Sequence, residues 1–228
     1  MIRLNTQPQY PTQNYLNREL GLLAFNRRVL AQATDERMPL LERLRFLCIV
    51  SSNLDEFFEI RMAGIKEQIK AKAQTLSYDG KTAQEAYRLV AAEAHANVTD
   101  QNTHLIVADQ YQHLNEVILP TLEEQGIRFL RRTKWNEAQR EWIRNYFIRE
   151  MVPVLTPIGL DPSHPFPKVL NKSLNFAVEL EGKDAFGRSS DAAIVQAPRV
   201  LPRVIKLPEE LAGCEHGFVF LSSILHEF

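Results

Sequence analysis

The sequence predicts a mainly α amino-terminal domain followed by an incomplete α+β domain. Apolar residues recur at helical spacing through residues 17–125, Gly126 ends that region, and prolines and β-branched residues become frequent afterwards. The 228 residues, 45% of them hydrophobic and 24% charged, have the composition of a soluble globular protein. Their number allows one large domain or two modest ones, and we expect two. A net charge of -1 gives no general attraction to nucleic acid or anionic lipid.

The first helices follow a polar start. Residues 1–16 are expected to form a flexible tail, because this stretch is polar and contains proline. Asn17 then caps a first helix that runs to about Ala33, with apolar residues on one face. Pro39 stands at a favourable first helical position, and the apolar residues on most sides of the second helix predict that it is buried.

Polar residues at positions 51–56 predict an interruption of the second helix, after which a third begins at Leu54 and runs to about Lys72. Asn53 has two interpretations in this setting. As an N-cap, its side-chain oxygen accepts a hydrogen bond from the amide of Glu56. As a ligand contact, its carboxamide offers the donor and acceptor that match an adenine edge. The two interpretations can coexist at a helix start beside a pocket.

A fourth helix, or helix pair, is predicted from Thr82 to about Glu124. Thr82 and Glu85 have the spacing of a capping box, and apolar residues follow on one face. The α+β part occupies residues 126–228, with a helix over residues 136–151. Its strands are predicted at residues 127–130, 174–180, 192–197 and 218–221.

Two further features of residues 126–228 predict how this part is built. The prolines between its elements, five of them at positions 153–167, predict a stiff connection from which helices are excluded. The last residues, GFVFLSSILHEF, open a strand and a helix without a closing turn. We therefore expect this domain to be truncated.

The chemistry-bearing side chains form no catalytic or metal-binding set in the sequence. Three carboxylates occur within two helical turns, those of Asp55, Glu56 and Glu59. This spacing favours a solvated helix face or pairing with a nearby arginine (Arg43, Arg45 or Arg61). The histidines include no HExxH pattern. His164 lies in a proline-fixed loop, where a structural role is favoured over a catalytic one.

A basic cluster follows the helical region, in which Arg128, Arg131, Arg132 and Lys134 precede Trp135. Such a cluster can form a polyanion path, although a surface charge run is the more frequent explanation. A nucleic-acid binder built on these residues is a third, disfavoured hypothesis, because the net charge is close to neutral.

Two blocks of sequence resemble a known family. The first block comprises residues 17–20, 23–30, 39–47 and 51–58, the last with the letters SSNLDEFF. It resembles the amino-terminal domain of the long-chain polyphosphate kinases. The second comprises residues 153–157, 161–162 and 164–167, and it resembles the opening of that family's head domain. Gly21 and Leu22 depart from the pattern, which usually has serine and tryptophan at these places.

The resemblance implies an enzyme that reversibly transfers the terminal phosphate of ATP to inorganic polyphosphate through a phosphohistidine on a later domain. It implies that residues 17–125 form the nucleotide-gripping domain, with Asn53 as an ATP contact and Leu54 and Phe57 as apolar neighbours of the base. The catalytic histidine and the ligands of the expected Mg²⁺ belong to other domains. We therefore predict no catalytic or metal-binding residue in this chain and no activity of this chain by itself.

Partners and location follow from the same resemblance and from the residues. ATP or ADP, polyphosphate and a homo-oligomeric partner are expected, without nucleic acid and without a transmembrane segment. A cytoplasmic location is expected, with membrane association of the full-length enzyme left open; Cys48 and Cys214 match no disulfide or metal pattern. The alternative function is a non-enzymatic self-association module, in which Asn53 only caps a helix.

Overall fold

A computed structural model describes residues 10–94, 106–161, 165–182 and 192–228. The chain divides into two compact units, Met1–Thr121 and Leu122–Phe228. In its described part the first unit is helical, whereas the second combines helices with two small three-stranded sheets. The predicted fold class, a mainly α domain followed by an α+β domain, is confirmed. Within these ranges no helix is both long and apolar enough to cross a bilayer.

The helical segments up to residue 124 are α1 (Arg18–Thr34), α2 (Leu40–Glu56), a π-helical turn (Phe57–Met62), α3 (Ala63–Lys70), α4 (Ala83–Ala94), α5 (Ile106–His113), a second π-helical turn (Leu114–Ile118) and α6 (Leu119–Glu124). Their inward faces form an apolar core. Its buried residues include Leu23, Leu30, Ala33, Leu47, Val50, Leu54, Phe57, Met62, Ile65, Ala86, Val90 and Ile118. Burial of these side chains is the main force that holds the helices together.

Two predicted helix starts are confirmed by their capping hydrogen bonds. The Asn17 side-chain oxygen accepts from the amides of Glu19 and Leu20, at 3.2 and 3.0 Å. The amide of Thr82 donates to Glu85 Oε2 at 2.8 Å, and the amide of Glu85 donates to Thr82 Oγ1 at 3.2 Å. Each cap satisfies backbone donors that a helix start leaves unpaired.

The predicted interruption at residues 51–56 is wrong. Helix α2 passes through this segment, and Glu56 and Phe57 keep right-handed helical backbone into the π-helical turn. Two of the polar side chains here bond to neighbouring helices. Ser51 Oγ accepts from Gln110 Nε2 at 2.7 Å, and Asn53 donates to Asn26 on α1. These tertiary hydrogen bonds replace the local capping bonds that would have ended the helix.

The expected tail of residues 1–16 includes an ordered turn. Thr12–Asn14 forms one turn of 3₁₀-helix, and the ring of Tyr15 stacks on that of Tyr78 with 5.7 Å between centroids. Residues 1–9 lie outside the described ranges.

The elements of the second unit are β1 (Ile127–Phe129), α7 (Glu137–Tyr146) with a π-helical turn (Phe147–Met151), β2 (Pro157–Gly159), β3 (Asn175–Glu179), β4 (Ala192–Gln196), β5 (Val204–Lys206), α8 (Glu209–Ala212), β6 (His216–Phe220) and α9 (Leu221–Glu227). The predicted helix and the four predicted strands are present. Strands β2 and β5 and helix α8 were not predicted. The proline-rich connection contains one short 3₁₀ turn, Val152–Val154, so the expectation that helices are excluded there is wrong.

The two sheets have different pairing. Strand β6 lies between β1, to which it is parallel, and β5, to which it is antiparallel. In the other sheet, β4 lies between β2 and β3 and is antiparallel to both. The main buried cluster of this unit contains Leu130, Trp135, Ile143, Met151, Leu207, Val219, Leu221 and Ile224. Helices α7, α8 and α9 therefore share a core with the sheet that contains β6.

Candidate functional site

Asn53 lies inside the last turn of α2 and is half-buried. Its Nδ2 donates to Oδ1 of Asn26 on α1 at 3.0 Å. Asn26 is only 3% exposed, and its own Nδ2 donates to the main-chain oxygen of Val50 on α2 at 3.2 Å. Two side-chain amides and one carbonyl thus form a continuous hydrogen-bonded chain across the α1–α2 contact.

This geometry excludes the N-cap interpretation of Asn53. An N-cap has non-helical backbone and its side-chain oxygen accepts from an amide two or three residues later. Asn53 instead behaves as an interior residue, since its main-chain oxygen accepts from the amide of Phe57. The capping role is therefore wrong, and the side-chain oxygen accepts no hydrogen bond from any residue in the described ranges.

Leu54 and Phe57, the two expected apolar neighbours of the base, are buried in the helical core, with 8% and 5% of their surface exposed. The ring of Phe57 meets the ring of Phe58 edge-on, with 5.2 Å between centroids. Phe58 is 45% exposed, so it is the aromatic residue of this segment that solvent or a ligand can reach. The roles of Asn53, Leu54 and Phe57 in nucleotide binding stay predictions.

The sequence reasoning missed Asn26. It is buried among α1 residues that point into the core, namely Leu23, Leu30 and Ala33. A polar residue at a core position of an amphipathic helix needs a hydrogen-bond partner, because an unpaired buried amide is costly. The interruption of the apolar stripe by Asn26 was therefore a usable signal.

The acidic residues next to Asn53 are exposed, as predicted for a solvated face: Asp55, Glu56 and Glu59 all lie at the surface. Arg43, one of their expected partners, is buried and donates through Nε to the main-chain oxygen of Ala33 at 2.9 Å. Within the described ranges there is no group of three histidine, cysteine or acidic residues that could hold a metal ion.

The basic cluster around Arg128 is partly neutralised. Nε of Arg128 lies 2.8 Å from a carboxylate oxygen of Glu123, and Arg132 lies 3.0 Å from Glu227. Trp135 is 6% exposed and its indole nitrogen donates to a main-chain oxygen. A buried indole cannot stack on a base, and Trp135 is instead part of the core of the second unit. His164 lies outside the described ranges.

A cavity of about 650 Å³ lies in the helical unit, beside the capped starts of α1 and α4. Its wall includes Asp79, whose side chain is 4% exposed and lies 2.8 Å from Nζ of Lys81. Burial raises the pKa of Asp79, but hydrogen bonds from Lys81, Ser77 and Asn17 outweigh burial and lower it to about 2. The ionised carboxylate of Asp79, in the loop before α4, therefore connects this loop to Asn17 at the start of α1 by a hydrogen bond.

Comparison with known families identifies both units. Residues 15–130 match the polyphosphate kinase N-terminal domain, and residues 138–228 match the polyphosphate kinase middle domain. These two matches cover most of the sequence. The chain belongs to the polyphosphate kinase family, as the resemblance of its two sequence blocks indicated.

Individual relatives agree with this assignment. The chain is 60% identical over 213 residues to the polyphosphate kinases of Burkholderia vietnamiensis and Paraburkholderia phytofirmans, which covers 93% of this chain and 30% of each relative. A crystal structure of polyphosphate kinase from Porphyromonas gingivalis is similar with a TM-score of 0.65 and 27% identity, over 92% of this chain and 30% of that one. The chain thus spans less than a third of the length of the relatives it matches.

Proposed function

We propose that this chain is the amino-terminal part of an enzyme that reversibly transfers the terminal phosphate of ATP to polyphosphate. Its own contribution is adenine-nucleotide binding, and the reacting histidine and the Mg²⁺ ligands belong to the remaining length of the enzyme. Membership of the family supports the reaction, because the relatives matched over 93% of this chain are polyphosphate kinases. Phosphoryl transfer needs positioned cations and a nucleophile, and these are proposed to lie in the remaining length of the enzyme.

The main support for the nucleotide role is the hydrogen bonding of the Asn53 side-chain amide. One N–H of Nδ2 is held by Asn26, while Oδ1 accepts no hydrogen bond within the described ranges. A half-buried amide oxygen without a partner is a ready acceptor for a ligand donor, and the 6-amino group of adenine is such a donor. Phe58, five residues farther along the helical segment, is an exposed aromatic residue.

Substitution of Asn53 by alanine in the full-length enzyme tests this role. We expect KM for ATP to rise about tenfold, which corresponds to the loss of one ligand hydrogen bond of about 1.4 kcal/mol, with kcat largely retained. Ser52, the exposed neighbour on the same helix, supplies the matched control. The Ser52→Ala enzyme should keep the wild-type KM. An unchanged KM in Asn53→Ala would contradict the nucleotide role.

The isolated chain gives a second test of the same proposal. The purified 228-residue polypeptide should neither become phosphorylated by ATP nor make polyphosphate, because the reacting histidine is proposed to lie in the remaining length of the enzyme. Phosphate incorporated from γ-labelled ATP into this polypeptide would refute the proposed division of labour.

A second candidate function, self-association, is favoured by exposed apolar side chains on the helical unit. Leu41 and Ile60 are 60% and 66% exposed. Apolar surface of this kind is buried in oligomers. We propose that it contributes to homo-oligomer assembly, and sedimentation of the wild-type and Ile60→Ser enzymes tests this. A smaller oligomer in the variant is expected, and identical sedimentation would refute a role of Ile60.

A further inference from the structure

We infer that Asn26 is a positioning residue that fixes which atoms Asn53 presents to a nucleotide, and that it thereby makes the site select adenine over guanine. This inference rests on the proposed nucleotide role of Asn53.

The orientation of the Asn26 amide is determined by the carbonyl it faces. The main-chain oxygen of Val50 can only accept a hydrogen bond, so the nitrogen of Asn26 must face it, at 3.2 Å. A reversed amide would place two oxygen atoms at that distance in a site where Asn26 is 3% exposed. Water cannot relieve that repulsion, and the network therefore allows one orientation.

The orientation of Asn26 determines that of Asn53. With its nitrogen toward Val50, Asn26 turns its oxygen toward Asn53, where it accepts from Nδ2 at 3.0 Å. A reversed Asn53 amide would again bring two oxygen atoms together. The oxygen of Asn53 is therefore directed away from Asn26, together with the second hydrogen of Nδ2.

This fixed polarity distinguishes the two purine bases. Adenine carries a donor, the 6-amino group, beside ring-nitrogen acceptors, so it matches an amide that offers an acceptor oxygen and one N–H. Guanine carries the acceptor O6 at the same position and meets the oxygen of Asn53 with a second oxygen. An asparagine without Asn26 could rotate by half a turn and accommodate either base. Its selectivity would then be lost.

The test compares ATP with GTP as phosphate donors for the full-length enzyme carrying Asn26→Leu or Asn26→Ala. The ratio of kcat/KM for ATP to that for GTP should fall about tenfold in either variant, mainly through KM, since one oriented hydrogen bond is lost. Asn26→Asp keeps an acceptor for Asn53 Nδ2 but sets a carboxylate oxygen against the Val50 carbonyl, so the variant should be less stable than wild type while its folded form retains the wild-type ratio. A ratio unchanged in Asn26→Leu and Asn26→Ala would overturn the inference.

Gln110 supplies a matched control. It is also a buried amide on a neighbouring helix that donates to a main-chain oxygen of α2, that of Leu47, at 2.8 Å. Its side-chain nitrogen donates to Leu47 and Ser51 and makes no hydrogen bond to Asn53. The Gln110→Met enzyme should lose stability comparably and keep the wild-type nucleotide ratio. An equal fall of the ratio in Gln110→Met would show that general loosening of α2, and not orientation of Asn53, sets the selectivity.

A further experiment uses the wild-type enzyme and therefore does not depend on whether the Asn26 variants fold. Purine riboside triphosphate, which is ATP without the 6-amino group, should have a KM about tenfold above that of ATP. In Asn53→Ala the two nucleotides should be equivalent. Equal KM values in the wild-type enzyme would overturn the inference. If Asn53→Ala weakens ATP binding while the Asn26 variants keep the wild-type ratio of kcat/KM for ATP and GTP, the role of Asn26 is refuted and the nucleotide role of Asn53 stands. If Asn53→Ala has no effect on ATP binding, the proposed nucleotide role of Asn53 is refuted as well.

Discussion

Gly217, the second residue of β6, packs so closely against α8 that a single added methyl group should destabilise the second unit. A Cβ built at Gly217 lies 2.4 Å from Cβ of Ala212, which is 2% exposed, whereas ordinary contact begins near 3.4 Å. Helix α8 would have to move by about 1 Å, but the main-chain oxygen of Leu211 is held by Gln139 at 2.7 Å. We expect Gly217→Ala to cost about 2 kcal/mol, in the range measured for overpacked cores.

Thermal unfolding of the chain, followed by calorimetry, measures this cost. For a unit of about 100 residues, 2 kcal/mol corresponds to a fall in Tm of roughly 8 °C. The double variant Gly217→Ala/Ala212→Gly should recover part of the loss, because it removes the opposing methyl group. Gly64→Ala is the control, since an added Cβ there meets nothing within 4 Å. An unchanged Tm in Gly217→Ala, or no recovery in the double variant, would refute the packing argument.

Two further predictions concern the helical unit. The pKa of Asp79 is lowered to about 2, below its ordinary value of 3.8, so its charged form stabilises the fold above about pH 4 and this contribution disappears as the pH falls toward 2. The difference in unfolding free energy between wild type and Asp79→Asn should therefore shrink over that range; a constant difference in urea titrations would contradict it. Arg43→Met should cost about 2 kcal/mol, because it removes a charged donor from the buried main-chain oxygen of Ala33. A chemical denaturation midpoint equal to that of wild type would exclude this role.

The helix starts at Asn17 and Thr82 could be predicted because both partners of each capping bond lie within three residues of each other. The Asn17 oxygen binds amides two and three residues ahead, and Thr82 and Glu85 bind each other. Such bonds depend on local sequence alone, and a pattern of residue types therefore identifies them.

The sheets could not be predicted to the same extent, because their pairing joins distant segments. Strand β1 pairs in parallel with β6, so that Ile127 lies opposite His216. Strands β2 and β5 have three residues each, and β2 begins with Pro157, a residue that usually argues against a strand. Three-residue segments such as these carry too little sequence pattern to be recognised, and they become strands only when a partner strand supplies the hydrogen bonds.

The failed capping prediction at Asn53 and the proposed nucleotide contact have one physical origin. As an N-cap, Asn53 would have used its side-chain oxygen on the amide of Glu56, and little acceptor capacity would have remained for a ligand. Inside α2, its backbone is satisfied by the helix, and the side chain donates to Asn26 instead. The donor thus faces the protein and the acceptor is directed away from Asn26. Asn26 belongs to residues 23–30 and Asn53 to residues 51–58, two parts of the first sequence block that resembles the polyphosphate kinases. The hydrogen bond between them joins the two stretches, so the proposed nucleotide contact would depend on both.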